Sequence, residues 1–200
     1  MIHRVLLFIS CLALAACSGS WAVDYDEPID AEVSRDWRVD RVVVTIPDSL
    51  TLSEATSLYA PNADIVWHGD LAGDRRAQVK DILETGIGRA AARLNGSEPV
   101  TLAVVLQQFH AVTPAAVARA PSAVHNITYT VQIFDRNGDP LIEPTRIQAD
   151  LEAYVGVSAI LAAQQGQTQR VRITNHLDQV MTGWFGLGPD ARRTFAGLGR

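Results

Sequence analysis

Three stretches of the chain alternate apolar and polar residues with a period of two: Val100, Leu102, Val104 and Leu106; Ile127, Tyr129, Val131 and Ile133; Ile147, Ala149, Leu151 and Ala153. That period puts one face of a strand in a core and the other in water. Asp135-Arg136-Asn137-Gly138-Asp139-Pro140 lies between the last two stretches and signals a tight hairpin. The pattern predicts three neighbouring antiparallel strands, with Thr128, Thr130, Gln132, Gln148, Asp150 and Glu152 facing outward. A β-branched run closed by Pro47-Asp48 predicts a further strand over about Arg38 to Ile46, and 63–68 a short one. Between them, 49–59 reads as a short helix with Ser53 as its cap, broken at Pro61-Asn62.

Two segments carry a helical period instead. Val79, Ile82, Leu83, Gly86, Ile87, Ala90 and Leu94 form one stripe within 74–94, opposite Lys80, Asp81, Glu84 and Arg89, and Asn95-Gly96 supplies the stop. After Gly166, Ile173, Leu177, Val180, Met181 and Trp184 form a second stripe that ends near Gly186 or Gly188-Pro189. Each helix must bury its stripe. The economical arrangement is an α+β two-layer sandwich with both helices on one face of an antiparallel sheet.

The first twenty residues read differently. Arg4 precedes the apolar or small run Val5–Ala16, the build of a secretory signal peptide, too short for the roughly 20 apolar residues of a membrane-spanning helix. Leu14-Ala15-Ala16-Cys17 at its end resembles the lipobox of bacterial lipoprotein signals. That resemblance implies recognition of Leu14, Ala15 and Ala16 by the signal peptidase and a diacylglyceryl thioether on Cys17, usually with an N-acyl chain. Two acyl chains suffice for stable anchoring. Ser18 stands where the family's inner-membrane retention signal has Asp, which implies the outer membrane, on its periplasmic side. Ser18 to Asp36 opposes Asp24, Asp26, Glu27, Asp30, Glu32 and Asp36 with Arg35 alone, so it reads as a flexible acidic tether with ends about 25 Å apart. The expected organisation is a signal peptide over 1–16, a lipidated tether over 17–37, one α+β domain over 38–188 and a tail over 189–200.

Composition narrows the chemistry. The chain has 17 basic and 22 acidic residues, a net charge of −5; without Arg4 it is −6, which gives no electrostatic reason to hold nucleic acid. Of its two cysteines, Cys11 lies in the signal and Cys17 is the expected lipid site, so the domain has no thiol for a disulfide or a nucleophile. No G-x-S-x-G, H-E-x-x-H, P-loop or S-x-x-K string occurs. Gly86-Ile87-Gly88-Arg89-Ala90-Ala91 matches a dinucleotide string, but within a helix, where Gly86 reads as a point of close packing.

Among the five histidines, His3 falls in the signal, and His68 and His176 lie on separate elements. His110 and His125 would face each other in the register that pairs Leu106 with Tyr129, a weak zinc or copper candidate without a third ligand. Asp64, Asp70 and Asp74 lack the spacing of a calcium loop and read as a cap and turn residues. The sequons at Asn95 and Asn126 are incidental in a bacterial lipoprotein. Trp184, Phe185 and Leu187, with Phe195 beyond, read as core closure or as an apolar patch for a partner, and an exposed sheet edge offers a second docking mode.

The order of elements on a lipidated leash resembles small uncharacterised outer-membrane lipoproteins and, more loosely, the auxiliary lipoproteins of ABC-type lipid or organic-solvent export systems. The expectation is a non-enzymatic binding or scaffolding module without a cofactor, anchored through lipid and meeting an envelope protein partner. The alternative is an auxiliary subunit for transport of lipid or another apolar ligand.

Overall fold

A computed structural model describes residues 20–193 and 196–198. In chain order the elements are β1 (Ser20–Asp24), α1 (Ala31–Ser34), β2 (Trp37–Thr45), β3 (Leu52–Ser53), β4 (Ile65–Val66), α2 (Arg75–Ala91), β5 (Glu98–His110), α3 (Pro114–Arg119), β6 (Ala123–Phe134), β7 (Pro140–Ala149), β8 (Leu151–Ala153), α4 (Gly156–Gln164), α5 (Gln169–Trp184), a 3-10 turn over Ala191–Arg193, and β9 (Ala196–Leu198). The class is α+β.

The strands join in one sheet, ordered β3-β4-β5-β6-β7-β1-β9, with β2 also beside β5 and β8 also beside β6. The sheet is mixed. β5, β6 and β7 form the expected antiparallel meander, with Leu106 opposite Tyr129 and Val104 opposite Val131. β2, however, runs parallel to β5, as do β3 to β4 and β4 to β5. The wholly antiparallel sheet is therefore corrected, for a topological reason. The chain between β2 and β5 contains α2, and a strand returned by such a crossover pairs in parallel.

Both helical stripes are buried. Asp74 caps α2 by accepting from the Ala77 N–H at 3.1 Å, and Thr168 caps α5 by accepting from Val171 at 3.3 Å. Their buried residues join those of the strands in one core that includes Trp37, Leu102, Phe109, Tyr129 and Val131. The two helices also pack on each other at Gly86, where an added Cβ would lie 2.8 Å from both the Leu177 Cβ and the Thr174 carbonyl oxygen. Close approach is what this glycine supplies, between two helices rather than between helix and sheet. Gly86→Ala should cost about 1–2 kcal/mol in urea denaturation, the overpacking exceeding the roughly 1 kcal/mol gained in helix propensity. A stabilised variant would contradict this packing.

Two segments depart from the expected loose ends. The acidic stretch is ordered over 20–36: β1 pairs with β7 and β9, and Val23 and Tyr25 are buried. The Tyr25 hydroxyl donates to Asp190 at 2.9 Å and accepts from the Ala191 N–H at 3.1 Å, the Ile29 N–H donates to the Trp184 carbonyl at 2.8 Å, and the Ser34 hydroxyl donates to the Phe185 carbonyl at 2.7 Å. The tether over 17–37 and the tail over 189–200 are thus corrected where described. Their acidic side chains stay in water while a few apolar and hydroxyl groups dock. The expected helix over 49–59 is also replaced, by β3 and loops. There the Asp64 carboxylate accepts from both the backbone and the hydroxyl of Thr51 at 2.7 Å. Ser53 caps a turn at Ala55 rather than a helix.

Candidate functional site

The lipobox residues Leu14, Ala15, Ala16 and Cys17 lie outside the described residues. The other candidates separate. A bulge between Leu106 and Gln108 shifts the register, so that His110 pairs with Asn126 and not with His125. Phe109, Ile127 and His125 then share the core face, and His110 takes the opposite one, which removes the facing imidazoles. Among the described residues no group of three or more His, Cys, Asp or Glu is placed to hold a metal. Trp184 and Phe185 are buried, with ring centroids 5.4 Å apart, and Leu187 packs against the same core. They close the core and present no patch.

Asp64, Asp70 and Asp74 have separate partners. Asp70 accepts from the Trp67 indole at 2.9 Å and from Arg170 at 2.8 and 2.5 Å, and Arg170 also reaches Asp81 at 2.7 Å. The guanidinium holds the Asp70 carboxyl below the usual carboxylate range. This cluster ties the loop before α2 to the start of α5.

Two buried imidazoles, His125 on β6 and His176 on α5, lie near Arg172. Burial pushes His125 down to about 3, with Arg172 and His176 adding to it, and pushes His176 down to about 4. The His125 Nδ1 accepts from the Val112 N–H at 3.4 Å, while Nε2 of both rings lacks a protein partner among the described residues. Both rings are neutral at pH 7 and buried in the core.

Asp150 lies on the outward face with Thr128 and Gln148, but it is covered there rather than exposed. It sits where β7 gives way to β8, and its carboxylate accepts from Ile127 N–H at 3.1 Å, Ala22 N–H at 3.3 Å and the Gln148 amide at 2.7 Å. Burial raises its pKa, opposed by these donors. The reason for its position is the break in the strand: β1, β6 and β7 each present an N–H or amide there, and one carboxylate satisfies all three.

Asp150 lies at the floor of a polar hollow of about 290 Å³ on the open face of the sheet, lined also by Trp21, Gln108, Asn126, Thr128, Arg146 and Gln148. Trp21 is half-buried there and Arg146 exposed. Tryptophan and arginine are the side chains most often found to dominate binding energy at protein interfaces. The hollow could have been anticipated from Trp21 only by knowing that β1 joins the sheet.

A second feature is α4, a helix that the expected elements do not include. Its signal was present: Val157, Ile160 and Leu161 fall at i, i+3 and i+4 between Gly156 and Gly166. These three are exposed, whereas Ala162 is the buried residue of the helix. A groove of about 300 Å³ runs beside it, lined by Val117, Tyr154, Ala159, Ile160, Ala163 and Arg172 among others. Arg172 lies 3.6 Å over the Tyr154 ring and donates to the Glu152 carbonyl at 2.7 Å, fixing the chain that leads into α4.

Residues 37–200 match the model of a family described as a family of unknown function (DUF6778). No curated protein matches the chain significantly. Among solved structures, a minor lipoprotein from Acinetobacter baumannii is similar at 15% identity and a TM-score of 0.35, over 73% of this chain and 90% of that one. A protein of the DUF330 family from Xanthomonas campestris is similar at 11% identity and a TM-score of 0.41, over 75% and 82% of the two chains. A PelC dodecamer from Paraburkholderia phytofirmans is similar at 9% identity and a TM-score of 0.31, over 78% and 95%. None of the described helices is long and apolar enough to cross a membrane.

Proposed function

We propose, for a chain that belongs to the DUF6778 family, whose function is unknown, that it is a lipid-anchored envelope protein that binds or scaffolds an envelope partner without catalysis. Anchoring is through Cys17, at the periplasmic face of the outer membrane. The observation that carries the reading is the position of that cysteine. It follows the apolar run Val5–Ala16 and precedes β1 by three residues, so an acylated sulfur would be joined to the sheet almost directly. The partner surface is the polar hollow on the open face of the sheet, where Trp21 and Arg146 supply an aromatic anchor and an exposed cation beside several amides.

A photocrosslinking residue in place of Gln132, on that face, tests this in intact cells. The expected result is one crosslinked envelope protein whose yield falls about tenfold with Trp21→Ala, the cost of losing a hot-spot side chain of over 1 kcal/mol. The exposed control Leu141→Ala should leave the yield unchanged. A crosslink insensitive to Trp21, or none above background, would count against the hollow as the binding surface. Lipid in place of a protein on the crosslinked band would favour the transport subunit instead.

A further inference from the structure

The six most exposed large apolar side chains among the described residues run from Leu71 at 91% to Tyr59 at 50%, and all six lie at one end of the molecule. Val157, Ile160 and Leu161 stand on α4. Leu58 and Tyr59 stand on the loop whose Leu58 carbonyl accepts from the Thr113 hydroxyl at 2.7 Å, at the N-terminus of α3, and α3 packs on α4. Leu71 stands on the loop held by Asp70 and Arg170. α4 is inside out by the usual rule, with alanine turned to the protein and its branched residues turned away. Such a patch marks an interaction site.

The chain outside the described structure indicates what covers it. β1 begins at Ser20. Its first residues lie level with the start of β8: the Asp150 N–H donates to the Ala22 carbonyl, and β8 leads into α4 within three residues. Ser20 therefore leaves the sheet at the end that carries α4. Only Ser18 and Gly19 separate it from Cys17, three steps of chain that span at most about 10 Å. An acyl anchor on Cys17 puts a bilayer within reach of this end and of no other. We propose that α4, with Leu58, Tyr59 and Leu71, rests in the interfacial layer of the membrane that holds the chain's own acyl groups. The inference rests on the lipid-anchored reading above.

The composition of the end fits that occupant. No charged residue occurs from Ala153 to Gln169 or from Ala55 to Ala63. The polar residues of α4 are Ser158 and Gln164, and the loop after it adds Gln165 and Gln167, all uncharged. A shallow helix with an apolar face and an uncharged flank enters the interface by apolar burial alone. Its docking should therefore be indifferent to anionic lipid. Once the anchor is inserted, docking is intramolecular and needs little intrinsic affinity.

The test uses the full acylated mature chain in phosphatidylcholine vesicles, with intact mass measured first. A bimane label on Ile160→Cys reports depth, against a control label on Arg136→Cys in the exposed β6–β7 turn at the opposite end. Both positions are exposed, so neither label disturbs the core. The expected result is quenching of the Ile160 label by brominated lipid on the order of twofold or more, little quenching of the control, and no change on adding phosphatidylglycerol. Equal quenching at the two positions in an acylated, vesicle-bound chain overturns this inference alone. So does an Ile160 label shielded only in a dimer, which would assign the face to a second copy. A mature chain without acyl mass overturns the anchored reading and this inference with it.

Discussion

Stability should fall by on the order of 5 kcal/mol between pH 7 and pH 4, because His125 and His176 are buried as neutral rings. Their folded pKa values, about 3 and about 4, lie below the ordinary imidazole value of 6.5. The unfolded chain therefore takes up protons first. Stability is present above pH 6.5 and is lost as pH falls towards the folded values. Burial also lowers His68 and His110, in the same direction. Asp150 works the other way, since its raised pKa returns a little stability on acidification. The carboxylates that are lowered, among them Asp70 and Asp64, begin to count only below the ordinary carboxylate range. The window from 6.5 to 4 thus belongs to histidine. Urea denaturation at stepped pH should give a slope near 2.7 kcal/mol per pH unit around pH 5, the value for two protons. His176→Gln or His125→Gln should each remove about half of it. A flat profile from pH 7 to 4.5 would show that these rings are hydrated in solution.

Asp150→Ala is expected to cost about 3 kcal/mol, by taking the acceptor from two backbone donors, the Ile127 and Ala22 N–H groups. Asparagine keeps a single acceptor oxygen and brings an amide up to groups that already donate, so it should recover only part of the loss. The effect has a location as well as a size. The Ala22 N–H belongs to β1, the strand next to the proposed anchor, whose ladders with β7 and β9 are both short. Hydrogen exchange at Ala22 and Val23 should accelerate far more than exchange in β5 or β6. With β1 released, the tether would lengthen only as far as Tyr25, whose hydroxyl remains bonded to Asp190 and Ala191. Unchanged protection at β1 in Asp150→Ala would mean that β7 and β9 hold the strand unaided.

What the chain shows on inspection, and what it hides, divides by the range of the interaction. The two stripes of α2 and α5, the alternation of β5 and β6, and the Asp135–Asp139 turn are local patterns, and each appears where its period placed it. β2 was located correctly, but its direction depends on the crossover through α2, an inference from order rather than periodicity. β1 was missed because Val23 and Tyr25 are two buried residues among acidic neighbours, too few to outweigh composition. The candidate histidines failed through one bulge at Gln107, since a single extra residue turns everything beyond it to the other face. α4 escapes the helical pattern because its apolar face turns to solvent, with Ala162 on the buried side. Both candidate surfaces thus come from segments whose role depends on distant partners or on what lies outside the fold.

The most direct test of the account is the intact mass of the mature chain purified from membranes of the cells that make it. An anchored protein should begin at Cys17 and carry the added mass of a diacylglyceryl group, with or without an N-acyl chain. A chain of peptide mass alone, recovered from the soluble fraction, would contradict it.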